Sequence, residues 1–233
     1  MIPLVLLPGL SNTQALFDAV LQRLPAAAPH HVNLIAPQVQ TFDQMLDHAR
    51  GQLPEGPFDL LGFSMGGYVA LALALKAQLP IRRLILVNSR AVDDDPEEAI
   101  ERQRTLRLLE NPKVRFEGMT PKLFQSLVSP AAAQDQDMYA LVKEMATQVG
   151  REATAAQLRA NLTRPDMRGQ LHELKLPTLI IGGELDRLTP PSQAEALHAG
   201  IEGSDLCLLG ECGHLSPLER PGDVAALLEK FRV

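Results

Sequence analysis

The 233-residue chain has little cysteine: two residues, Cys207 and Cys212, which form no CxxC pair. That excludes a disulfide framework and leads us to expect a reducing, cytoplasmic setting. A run of 18 apolar residues is lacking, so no membrane span is expected. The apolar start, residues 1–10, has no Lys or Arg before it and is broken by Pro3 and Pro8, unlike a signal peptide. Basic residues are outnumbered 22 to 28, for a formal net charge of −6. Such a chain repels phosphate backbones at long range, and no nucleic-acid partner is expected. HExxH and spaced Cys/His clusters are missing, so neither a metal nor any other cofactor is implied. The phosphate-loop pattern G-x-x-x-x-G-K-[ST] is missing too.

What is present is an ordinary core-forming composition, 45% hydrophobic and 21% charged. Short apolar runs alternate with amphipathic segments. Residues 2–7, 31–36, 58–63, 83–88, 178–181 and 205–209 read as strands. Residues 12–24, 41–50, 65–78, 192–199 and 224–231 read as helices, with Thr41 as an N-cap and Pro80 ending the third. Six strands with crossover helices predict an α/β fold with a doubly wound, mostly parallel sheet.

The alternation stops between the fourth and fifth strands. Residues 91–165 carry 12 acidic and 10 basic residues, whereas the remaining 158 carry 28 charged residues in all. Three helical stretches are expected there, 96–111, 121–128 and 134–162, the last broken near Gly150. The domain division is therefore a core of residues 1–90 and 166–233 and an inserted helical segment of 91–165.

The third strand runs into Gly62-Phe63-Ser64-Met65-Gly66-Gly67 and then directly into helix. This is G-x-S-x-G at a strand-to-helix turn. Such a turn exposes a serine hydroxyl above the sheet, and small neighbours are needed because strand and helix nearly touch. With eight serines and 16 glycines, the bare pattern has a chance expectation of about 4%. A serine hydroxyl needs a base, and the base needs an orienting group. Of six histidines, only His214 sits in a loop after a strand, where active sites collect in parallel sheets. Asp186, in the loop after the fifth strand, precedes it by 28 residues, room for one helix and one strand. Glu184 competes locally for the acid role, and Asp93, Asp94 and Asp95 compete from the fourth strand.

Acyl transfer also needs two N–H donors for the developing oxyanion. The Met65 amide, next to the nucleophile, is one candidate. The Leu10 amide, in the Pro8-Gly9-Leu10-Ser11 loop, is the other.

These motifs resemble the α/β-hydrolase superfamily. The resemblance is carried by Leu6-Leu7-Pro8-Gly9-Leu10, Gly62 to Gly67, Gly183-Glu184-Leu185-Asp186-Arg187-Leu188-Thr189-Pro190, and Gly213-His214-Leu215-Ser216-Pro217-Leu218-Glu219-Arg220-Pro221. It is strongest toward small carboxylesterases, enol-lactonases and pimeloyl-ester-type esterases. It implies a triad of Ser64, Asp186 and His214, an oxyanion hole from Leu10 and Met65, and a helical cap at 91–165. Many relatives have His-Gly where this chain has Pro8-Gly9. The chain also starts at what would be the family's third strand, without the initial hairpin.

The expected reaction is hydrolysis of a small-molecule carboxylic ester or lactone through an acyl-serine. A lyase or C–C hydrolase using the same triad, and a non-catalytic ligand-binding homologue, are the alternatives. Phe124, Leu127 and Met138 are candidate acyl-pocket residues, with cap packing as their alternative role. Arg90, just past the fourth strand, is either a solvated surface residue or a partner for a substrate carboxylate. No protein carrier can be named from the sequence.

Overall fold

The computed structural model describes residues 2–24, 27–76 and 78–232. Six strands form one sheet in the order β2-β1-β3-β4-β5-β6, and every pairing is parallel. The strands are β1 (Pro3–Leu7), β2 (Ala28–His31), β3 (Phe58–Phe63), β4 (Ile81–Val87), β5 (Thr178–Gly183) and β6 (Asp205–Leu209). The central strands β3 and β5 are buried throughout, as expected of strands covered on both faces.

Side-chain alternation divides the core into two layers. Val5, Leu7, Leu60, Leu84, Leu86 and Ile180 face α2 (Phe42–Arg50), α3 (Met65–Lys76) and α7 (Pro191–Gly200). Leu4, Leu6, Leu61, Ile85, Val87 and Ile181 face α1 (Asp18–Leu21) and α9 (Pro221–Arg232). Thr41 caps α2, its hydroxyl accepting from the Gln44 amide at 3.3 Å. The expected helix across residues 12–24 is shorter than its pattern: a 3-10 turn, Gln14–Phe17, leads into the four-residue α1.

The second strand is displaced from its expected position. Ala28–His31 pair with β1, and the ladder ends where the Val32 amide donates to the Leu6 carbonyl at 3.0 Å. Pro29 is tolerated because this is an edge strand with no partner on its outer side. The alternating Val32, Leu34 and Ala36 do point inward and are buried, which is why they read as a strand. The backbone of the intervening Asn33, however, is satisfied by side chains and not by a neighbouring strand. Gln52 Oε1 accepts from the Asn33 amide, while Gln52 Nε2 donates to the Asn33 carbonyl.

Between β4 and β5 lie α4 (Pro96–Glu110), α5 (Pro121–Leu127) and α6 (Gln136–Leu162). A full capping box of Asp95 and Glu98 starts α4. Gly150, at φ 77 and ψ 168, breaks α6 where the sequence places the break. The second half of α6 is far more buried than the first and packs against α2. Among the described residues, no helix is long and apolar enough to cross a membrane.

The two ends of this helical segment are fastened by buried charge. Asp94 accepts from Arg90 at 2.8 Å, Arg102 at 2.5 Å and Arg164 at 2.6 Å. Arg164 lies 4.7 Å over the Tyr68 ring. Burial, reinforced by the nearby Arg90 charge, lowers its pKa to about 10, so it stays cationic at neutral pH. The Tyr68 hydroxyl lies within hydrogen-bond reach of the carbonyls of both Ala91 and Pro165. Removing one member of a buried ion cluster leaves uncompensated charge, at a cost of roughly 3–5 kcal/mol. Asp94→Asn, which leaves Arg102 and Arg164 without their carboxylate partner while Arg90 keeps Glu98, is therefore expected to lower stability by about that amount in urea-unfolding measurements.

Candidate active site

Ser64 sits at the junction of β3 and α3 with φ 52, a left-handed conformation that costs a non-glycine residue roughly 1–2 kcal/mol. The surrounding packing leaves no alternative. A Cβ on Gly62 would lie 2.3 Å from the Gly66 carbonyl oxygen, and one on Gly66 would lie 2.3 Å from that of Leu7. The Ser64 amide donates to the Val87 carbonyl at 2.9 Å, and the Ser64 carbonyl accepts from the Ser89 hydroxyl at 2.9 Å. The strained turn is thus held from β4 on one side and from the β1 loop on the other.

The structure brings Ser64, His214 and Asp186 together. Ser64 Oγ is 3.0 Å from His214 Nε2, and His214 Nδ1 is 2.8 Å from Asp186 Oδ2. His214 and Asp186 are both 3% exposed, while Ser64 is half-buried. Asp186 fixes the imidazole tautomer: Nδ1–H donates to the carboxylate, leaving Nε2 free to accept from the serine hydroxyl. An imidazole so placed can take the serine proton and return it to a leaving group.

Asp186 is a deeply built acceptor. Its Oδ1 receives the amides of Leu188 and Thr189, each at 2.9 Å. Its Oδ2 receives the Thr189 hydroxyl at 2.6 Å and Asn88 Nδ2 at 2.8 Å. Burial pushes its pKa upward, but the His214 imidazole and these donors outweigh it and hold the carboxyl below its usual value. Glu184 is exposed and makes no contact with His214. Asp94 is committed to three arginines, and Asp95 caps α4.

Three supporting residues were not evident in the sequence. Asn88, at φ 45 just past β4, donates to Asp186 and also to the Gly213 carbonyl at 3.3 Å. The Ser216 hydroxyl donates to Asn88 Oδ1 at 2.5 Å, which fixes the direction of the amide. Glu219 accepts the amides of Gly213, Leu215 and Ser129, bracing the loop that carries His214. Asn88 and Ser216 stand far from the acid in the chain, so spacing carried no signal of the contact. Glu219 lies within the Gly213–Pro221 motif but reads there as a surface helix residue.

The Leu10 and Met65 amides occupy the loop after β1 and the first position of α3. Among the described residues, neither donates to a protein acceptor. Arg90 is not free to meet a substrate. It is 7% exposed and paired with Asp94 at 2.8 Å and Glu98 at 2.6 Å. Two carboxylates, four and eight residues further along the chain, already occupy its guanidinium. Phe124 is buried against Tyr139, the ring centroids 5.4 Å apart. The Leu127 carbonyl accepts the His214 amide at 2.6 Å. Met138 packs partly buried in the same apolar cluster. Phe124 and Met138 thus pack within this apolar cluster, and Leu127 touches the histidine loop through its backbone. A small cavity of about 190 Å³ lies beside the acid loop, lined by Val128, Pro130 and residues 184–187. Among the described residues, no group of three or more His, Cys, Asp or Glu could hold a metal ion.

The depressed Asp186 pKa has a definite thermodynamic sign. Below the unfolded value of 3.8 the unfolded chain takes up the proton before the folded one does. The stabilisation is thus present above that pH and lost as pH falls through the folded pKa. The stability difference between the wild type and Asp186→Asn, measured by urea unfolding, is expected to be constant near neutrality and to shrink as pH drops below 3.8.

Comparison with known proteins agrees with the fold. The family model for the alpha/beta hydrolase fold matches residues 28–221. A pimeloyl-[acyl-carrier protein] methyl ester esterase of Neisseria meningitidis is 28% identical over 239 residues, covering 97% of this chain and 91% of its own. A 2-hydroxy-6-oxononadienedioate/2-hydroxy-6-oxononatrienedioate hydrolase of Escherichia coli is 28% identical over 195 residues, covering 77% of this chain and 64% of its own. The solved structure of a thermophilic esterase from Thermogutta terrifontis superposes with a TM-score of 0.85 at 25% identity, covering 99% of this chain and 89% of that one. With a matching family model across most of its length and a parallel six-stranded sheet, this chain belongs to the alpha/beta hydrolase fold family.

Proposed function

We propose that the chain hydrolyses a carboxylic ester or lactone of a small to medium acyl group through an acyl-serine intermediate. The observation that carries this reading is the hydrogen-bonded series Ser64 Oγ–His214 Nε2 and His214 Nδ1–Asp186 Oδ2, at 3.0 and 2.8 Å. His214 removes the Ser64 proton as Oγ attacks the carbonyl carbon, and the carbonyl π electrons move to oxygen. The oxyanion is met by the Leu10 and Met65 amides. As the tetrahedral species collapses, the imidazolium protonates the departing alcohol. Water then repeats the cycle on the acyl-enzyme, and Asp186 holds the tautomer and stabilises the imidazolium throughout. The segment 91–165 is a cap that shapes the acyl site, which fits its contacts to the histidine loop through Leu127 and Ser129.

The names of the esterase relatives favour an ester bond. The Escherichia coli relative favours a second reading, cleavage of a carbon–carbon bond beside a carbonyl by the same three residues. A fluorophosphonate probe is expected to label Ser64 in the wild type and not in Ser64→Ala. Turnover of p-nitrophenyl esters of increasing acyl length, and of methyl esters of medium-chain acids, is expected to fall by 10³-fold or more in Ser64→Ala and in His214→Ala. Labelling of Ser64 without turnover of any ester or lactone would reject the esterase reading, and turnover of a vinylogous 1,5-diketone would then favour the second.

A further inference from the structure

The turn that carries Leu10 is held in a conformation its own residues do not prefer. The Asn12 amide donates to the Gly9 carbonyl at 3.2 Å, closing a four-residue turn. Ser11, the third residue, has φ 58, and Leu10 is outside the positive region. That is the type II arrangement, in which the third position favours glycine. With serine there, rotating the Leu10–Ser11 peptide to the type I form relieves the strain, so something outside the turn must hold it.

Gln157 does so. It lies in the second half of α6 and is 1% exposed. Its Oε1 accepts the Ser11 amide at 3.0 Å, and its Nε2 donates to the Leu34 carbonyl at 3.0 Å. The second bond fixes the direction of the side-chain amide, so an acceptor and not a donor faces the turn. One turn earlier, Thr154 Oγ1 is 3.3 Å from Ser11 Oγ. Rotation to type I would swing the Ser11 N–H away from Gln157 and bring the Leu10 carbonyl oxygen toward Gln157 Oε1, two acceptors facing each other. The bond to Gln157 therefore selects the strained turn. It also occupies the Ser11 amide, while the Leu10 amide has no protein acceptor among the described residues.

We infer that Gln157 is a positioning residue for the oxyanion loop, so that the inserted helical segment sets the strength of transition-state stabilisation at Ser64. This rests on the acyl-serine reading above. Gln157→Met keeps the length and packing of the side chain and removes both hydrogen bonds. Its kcat for p-nitrophenyl acetate, per fluorophosphonate-titrated serine, is expected to fall tenfold or more with KM changed less than twofold. Adding Ser11→Gly, which adopts the positive φ freely, is expected to recover most of the loss. A simple loss of folded structure would not be recovered in this way. A second measurement uses the unaltered chain. On forming an alkylboronate adduct at Ser64, the Leu10 and Met65 amide protons are expected to move downfield in NMR spectra, and the Ser11 amide is not. An unchanged kcat in Gln157→Met, a loss that Ser11→Gly does not relieve, or a downfield Ser11 amide in the adduct each overturns the inference. A wild-type chain that takes up neither probe overturns the acyl-serine reading itself and this inference with it.

Discussion

Everything at the site depends on how closely the backbone passes itself around Ser64. Gly62 and Gly66 leave no room for a Cβ, with carbonyl oxygens 2.3 Å from where each would stand. That contact forces the chain to reverse from strand into helix within one residue. It also presses the loop after β1 onto the first turn of α3, where a Cβ on Gly66 would lie 2.5 Å from the Pro8 carbonyl oxygen as well. A similar approach occurs on the far side of the sheet, where a Cβ on Gly183 would lie 2.2 Å from the Gly213 carbonyl oxygen. There it joins the acid loop to the histidine loop. The chemistry is assembled by backbone contacts at strand ends, and side chains then fix the details.

The strain in this arrangement is concentrated and opposed locally. Ser11, Ser64, Asn88 and Glu211 are the four described non-glycine residues with positive φ, and all follow the C-terminal ends of strands. Three of them have a backbone or side-chain hydrogen bond that holds the costly conformation: Ser11 to Gln157, Ser64 to Val87, and Asn88 to Asp186. Backbone strain at such positions persists only when the surroundings over-determine it. The single oxygen Asp186 Oδ2 takes donors from His214, Thr189 and Asn88, so the acid, the base and the end of β4 are tied at one atom.

Much of the fold was legible in the sequence because strands buried on both faces leave continuous apolar runs. β3, Phe58–Phe63, and β6, Asp205–Leu209, fall where the pattern places them. The edge strand was misread because alternating inward residues need not be paired. Gln52 and His48 side chains serve the backbone around Asn33 in place of a neighbouring strand. The three site residues were legible because each sits in a short motif at a strand end. Asn88, Ser216 and Gln157 were not, since their partners are 98, 128 and 146 residues away in the chain. A polar side chain in a helix, such as Gln157, carries no sign of what it will meet. Arg90 differs, since Asp94 and Glu98 stand only four and eight residues further on, and what the sequence pattern did not show is that all three would be drawn together at the start of α4.

The Tyr68 hydroxyl has a consequence for how this family member can diversify. It sits one helical turn after Ser64 and touches both Ala91 and Pro165, the two ends of the inserted segment. The segment therefore leaves and re-enters the core at nearly the same point. Its ends meet beside α3, fastened by Asp94, Arg102 and Arg164 as well as by Tyr68. A module of different size that kept these anchors and Gln157 would leave and re-enter the core at the same junction, with the turn that presents the serine unaltered.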